Sequence, residues 1–150
     1  MLRLSKKADY ALMAMKHLAL RRDRGSSSAR EIAEQYGIPV ELMAKVLQRL
    51  VRRGLLASHQ GTHGGYQLAR PPAMISVADV IQAIDGPVTV TACSTEDGRC
   101  EQFAKCNVRD PLWKVRERIL AALGETTIAE LASDPPTPAG MRAAVLHTTL

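Results

Sequence analysis

Three cysteines, Cys93, Cys100 and Cys106, fall within fourteen residues of a 150-residue chain. They sit in a polar stretch, with Ser94, Thr95, Glu96, Asp97 and Gly98 between the first pair. Core cysteines would lie on periodic apolar segments instead. A thiolate is a soft metal ligand and a redox group, so the grouping points to one of those chemistries. The spacing Cys-x6-Cys-x5-Cys lacks the pairs about two to four residues apart that grip zinc. Longer spacers and a glycine suit a loop wrapped around an iron–sulfur cluster, while a zinc site and a redox thiol switch stay open. No nucleotide-binding loop or catalytic dyad accompanies the cysteines, so an enzyme is not expected.

Composition says what kind of scaffold must carry these thiols. Aromatic residues are 3% of a chain that is 46% hydrophobic, so the core rests on aliphatic side chains and suits packed helices. No apolar run approaches the ~20 residues of a membrane helix. Asp9 and Lys16 interrupt the first apolar stretch, so no signal peptide is expected and a cytoplasmic protein is.

Local signals predict the elements. A first helix starts after Ser5 and runs to about Leu20, with Ala8, Leu12, Met15 and Ala19 inward. Ser28-Ala29-Arg30-Glu31 reads as a capping box opening a short helix that stops at Gly37. A third helix follows Pro39, carries Leu42, Met43, Val46, Leu47 and Leu50 as its apolar stripe, and ends before Gly54. Two short helices joined through Gly37-Ile38-Pro39 form a helix-turn-helix. Residues 55–59 and 66–69 read as strands around a glycine-rich turn, a hairpin where a wing would be. The expected fold is mainly α with a small β-hairpin wing. Farther on, Ser76 opens a helix ending at Gly86-Pro87. Asp110-Pro111 reads as an N-cap and first position of a helix ending at Gly124, and Thr127 to Glu130 as a capping box. The expected division is a DNA-binding domain at 1–72, a cluster loop and dimerisation helix at 73–132, and a mobile tail at 133–150.

Charge is unevenly distributed. Residues 1–70 hold 13 Lys/Arg against 5 Asp/Glu, a balance of +8; residues 71–150 hold 7 against 10, a balance of −3. A basic first half suits nucleic acid. On the third helix, Glu41, Lys45, Gln48, Arg49 and Arg52 lie opposite the apolar stripe, where cations reach phosphates and Arg or Gln read base edges. Ser28 and the wing-tip residues His59, Gln60, Thr62 and His63 complete the expected contacts. His59 and His63 are four apart, but on a hairpin they share no helix face, so groove contacts are expected rather than metal ligation. His17 is expected to be a surface or packing residue.

The run from Ser5 to Leu12, the helix-turn-helix, the Gly64-Gly65-Tyr66 wing, Ile84-Asp85-Gly86-Pro87 and the cysteine trio together resemble the IscR-, NsrR- and SufR-like winged-helix regulators. The resemblance covers about residues 1–132, and the start of the chain looks most like the subgroup regulating SUF cluster-assembly operons. It implies a homodimer on double-stranded operator DNA, paired through the helix that carries Leu112, Val115, Ile119 and Leu123, with Trp113 either on that surface or in the core. It also implies an iron–sulfur cluster on Cys93, Cys100 and Cys106, which needs a fourth ligand. IscR-like members use a histidine three residues after the last cysteine; Arg109 stands there and cannot ligate iron. NsrR-like members use an acidic residue of the first helix, contributed by the other subunit. Asp9 matches it, favouring 4Fe–4S over 2Fe–2S; its plainer role is to complement the helix dipole. The implied activity is repression of cluster-assembly genes. Alternatives are a cluster-free or zinc-bound regulator answering to thiol state or a partner, and a nitric-oxide-responsive repressor.

Overall fold

The computed structural model describes residues 3–90 and 100–133. Cys93 and residues 134–150 of the expected tail lie outside the described residues. The fold is helical with one two-stranded hairpin, as the periodicity predicts.

Helix α1 (Lys6–Leu20) begins at Ser5, whose side chain accepts the Ala8 N–H. Ala8, Ala11 and Ala14 are wholly buried, and such small side chains let neighbouring helices approach closely. Helix α2 (Ala29–Tyr36) starts with both bonds of the Ser28–Glu31 capping box and ends at Gly37, whose φ of 65° is left-handed. Helix α3 (Val40–Arg52) turns Met43, Val46, Leu47 and Leu50 inward, while Leu42 is half-buried.

Strands β1 (Leu56–His59) and β2 (Gly65–Leu68) pair antiparallel, with Leu56 opposite Leu68 and His59 opposite Gly65. Ser27, just before α2, adds a further rung: its N–H donates to the Tyr66 carbonyl at 3.1 Å and its carbonyl accepts from Tyr66 at 2.8 Å. The approach requires glycine at 65, where a Cβ would stand 2.6 Å from the Ser27 carbonyl oxygen.

Helix α4 (Val77–Asp85) and helix α6 (Ile128–Ser133) open side by side. Val77 donates to the Thr126 carbonyl and Ile128 to the Ile75 carbonyl, at 2.8 and 2.9 Å. Ser76 with Asp79 and Thr127 with Glu130 both form capping boxes. Ile75, Val80 and Ile128 join Met15, Ile32 and Leu47 in one core, so α4 and α6 pack with α1, α2 and α3. Helix α5 (Arg109–Glu125) has no fully buried residue; Leu120 and Leu123 rest on Val77, Ile81 and Val88. Leu112, Trp113 and Val115 remain 39–45% exposed, so Trp113 is not a core residue of the single chain.

The bounds of α5 correct the sequence expectation. The helix begins at Arg109, with Val108 at its N-cap, so Asp110 is not the cap and Pro111 is the third residue. The first turn's N–H groups have no intrahelical acceptor, so proline fits anywhere in that turn. Nor does Gly124 end the helix: Thr126 donates both its N–H and its hydroxyl to the Ala122 carbonyl, carrying helix through Glu125. No described helix is long and apolar enough to cross a membrane.

Candidate functional site

Glu41, Lys45, Gln48 and Arg49 all stand on the exposed side of α3. Between that side and the wing lies a cleft of about 610 Å³, where Ser28, Gln48, His59 and Gln60 meet. Arg52 and Tyr66 line it too. Thr62 and His63 line an adjoining hollow of about 570 Å³, with Arg24 and Glu31 on its other walls. Ser28 borders both, although its hydroxyl already caps α2. Glu41 lines none of these hollows.

The wing tip is fixed by backbone geometry. Gly64 donates to the Gly61 carbonyl at 3.0 Å, and a Cβ at 64 would come within 2.6 Å of the His59 carbonyl oxygen. Ser26 Oγ donates to the His63 carbonyl at 2.7 Å, tying the tip to the loop before α2.

Arg49 has a role that spacing alone did not suggest. Its Nε donates to the Ala83 carbonyl at 2.8 Å, binding α3 to the last turn of α4. Helix-end carbonyls lack intrahelical partners, and this one is satisfied from a neighbouring element. Lys45, Gln48, Arg49 and Arg52 also line a third cleft, of about 250 Å³, with Lys7 of α1. Lys7 was missed in the sequence; its signal is a second cation in a first helical turn, where the dipole favours acids.

Beneath the interface, His17 is buried and packs, as one of its two expected roles required. Its Nδ1 shares a 3.0 Å hydrogen bond with the Tyr36 hydroxyl, joining α1 to α2. Burial pushes the imidazole below its ordinary pKa of 6.5; Arg21 adds to the drop and Glu31 opposes it. Burial also raises the Tyr36 phenol.

The thiols lie in the other half of the chain. Cys100 and Cys106 are free and partly exposed, and the Cys100 carbonyl accepts from Phe103 at 3.0 Å. Accessible, unpaired thiols fit the donor chemistry of an iron–sulfur cluster. Arg109 is a brace: its guanidinium covers the Phe103 ring at 4.6 Å and its Nε donates to Asp110 at 3.1 Å. Asp9 is exposed and borders a cleft of about 670 Å³ between the start of α1 and residues 85–89, which lead toward Cys93. Across that cleft, Ser5 donates its N–H and hydroxyl to the Asp85 carboxylate, at 3.2 and 2.5 Å. Among the described residues, no three His, Cys, Asp or Glu side chains gather as a metal site.

The family model described as Rrf2, iron-dependent transcriptional regulator, matches residues 4–134. The HTH-type transcriptional regulators IscR of Xenorhabdus nematophila and Yersinia enterocolitica are each 35% identical over 134 residues, covering 89% of this chain and 80% of the relative. Among solved structures, CymR, the global cysteine regulator of B. subtilis, superposes with a TM-score of 0.77 at 28% identity, covering 91% of this chain and all of that one. IscR of T. potens gives 0.70 at 28% identity, covering 94% and 96%. These relatives are regulators, not enzymes, and the solved folds match the helical, hairpin-bearing architecture.

Proposed function

The chain belongs to the Rrf2 family of transcriptional regulators, and from that premise we propose that it represses iron–sulfur cluster-assembly genes as a cytoplasmic homodimer, responding to a cluster on Cys93, Cys100 and Cys106. The observation that carries the DNA reading is the cleft joining Ser28 and Gln48 to His59 and Gln60. A helix and a hairpin sharing one cleft can follow a groove and its flanking backbone together. Beside that cleft Lys45 and Arg49 neutralise phosphates, Gln48 faces base edges, Glu41 disfavours some sequences, and Thr62 and His63 extend the wing's contact.

Pairing of two chains rests on α5, whose Leu112 and Val115 stay exposed next to the cysteine segment. When bound, an iron–sulfur cluster supplies a cross-link sensitive to iron, oxidants and nitric oxide. Cys93, Cys100 and Cys106 would hold it with Asp9 of the opposite subunit as fourth ligand, a set that favours 4Fe–4S over 2Fe–2S. Cluster presence fixes the dimer geometry and with it the separation of the two recognition helices, so cluster loss changes operator affinity.

Anaerobic purification with a visible spectrum and iron and sulfide counts tests the cluster. Operator binding by wild type and by the triple Cys→Ala variant, at matched salt, tests the coupling. Equal affinities would refute it. A second reading, control by thiol state without a cluster, is favoured by the free Cys100 and Cys106. It requires iron-free protein to change affinity on thiol oxidation.

A further inference from the structure

We infer that Lys7 is a DNA-backbone contact, closing with α3 a cationic cleft that takes one phosphate of the bound duplex. The inference rests on the operator-binding reading and extends its footprint from the helix-turn-helix to α1. Lys7, Lys45, Arg49 and Arg52 line the same cleft of about 250 Å³, and no carboxylate is among its lining residues. Leu42, Val46 and Ile84 supply an apolar floor that limits solvation from below. Four cations from two helices converge without an anion in their midst, an arrangement that a phosphate diester relieves.

The position of Lys7 strengthens the case. It occupies the first turn of α1, where the helix dipole disfavours a cation. A sequence that breaks a local preference in an otherwise well-capped helix is commonly serving a site. Arg49 is held by the Ala83 carbonyl, so the opposite wall of the cleft is pre-organised. Gln48 borders both this cleft and the one under the wing, which makes the phosphate position continuous with the base-reading surface. The compact ammonium of lysine suits a single phosphate oxygen.

The test uses the full chain and a duplex of about 30 base pairs selected by the wild type from a randomised pool, long enough for two half-sites. Each lost phosphate contact lowers the slope of log affinity against log salt by about 0.9, or about eightfold in affinity at roughly 0.1 M salt. Lys7→Gln should show that loss per chain, equally on selected and scrambled duplexes, while Lys7→Arg keeps the wild-type slope. Lys114→Gln removes an exposed cation from α5 and controls for net charge. A Lys7→Gln slope equal to that of wild type or of Lys114→Gln would overturn the contact. Failure of the wild type to prefer the selected duplex over a scrambled one would overturn the operator reading itself, and this contact with it.

Discussion

Replacing Asp85 by alanine should loosen the start of α1 from the end of α4. The carboxylate accepts from both the N–H and the hydroxyl of Ser5, across 80 residues of sequence. A hydrogen bond to a charged group contributes about 1.5–3 kcal/mol when sheltered. Both bonds here are exposed, so solvent reduces the pair together to about 1–1.5 kcal/mol. Ser5→Ala keeps its backbone bond to Asp85 but loses the hydroxyl bond and the cap on Ala8, which alone costs about 1 kcal/mol. In a double-mutant cycle only the hydroxyl–carboxylate bond is shared, predicting a coupling of about 0.5–1 kcal/mol. Urea unfolding of wild type, both single variants and the double variant measures it, with m-values unchanged if the denatured state is unaffected. Single-variant losses that add to within about 0.3 kcal/mol would refute the latch.

Ser28→Ala should cost about 1 kcal/mol in thermal or urea unfolding, and Ser28→Asp should recover most of it, because the hydroxyl caps α2. Gly65→Ala should destabilise by about 1–3 kcal/mol and weaken DNA binding, since its Cβ meets fixed backbone at 2.6 Å; wild-type stability in this variant would exclude that tight contact. His17 has a folded pKa below 6.5, so the unfolded chain takes up the proton first as pH falls. Its effect is absent well above pH 6.5, stability declines from there down to the folded pKa, and below that it levels off. His17→Phe should flatten this part of the stability–pH curve, and an unchanged curve would count against His17 as its source. Val115→Arg should lower the dimer fraction in sedimentation velocity; an undiminished fraction would remove α5 from the interface.

Helix starts were legible because capping is local. Ser5, Ser28, Ser76 and Thr127 all make the bonds their sequence context predicts. The start of α5 was not, since proline satisfies several first-turn positions equally well. Periodicity placed Lys45, Gln48 and Arg49 outward correctly, but it says nothing about reach. The bond from Arg49 to Ala83 and the meeting of Lys7 with α3 depend on how α1, α3 and α4 pack. The bridge between Ser27 and Tyr66 is equally non-local. The cysteines suggest metal or redox chemistry by type and spacing, whereas their joint geometry involves Cys93, outside the described residues.

With Ser27 paired to Tyr66 and Ser26 holding the His63 carbonyl, the wing is ordered by the same contacts that order the start of α2. Its conformational entropy is surrendered when the chain folds and need not be surrendered again on the DNA. Wing and recognition helix would therefore meet a duplex as one preset surface, and in the proposed dimer a signal that changes affinity acts on how two such surfaces are spaced.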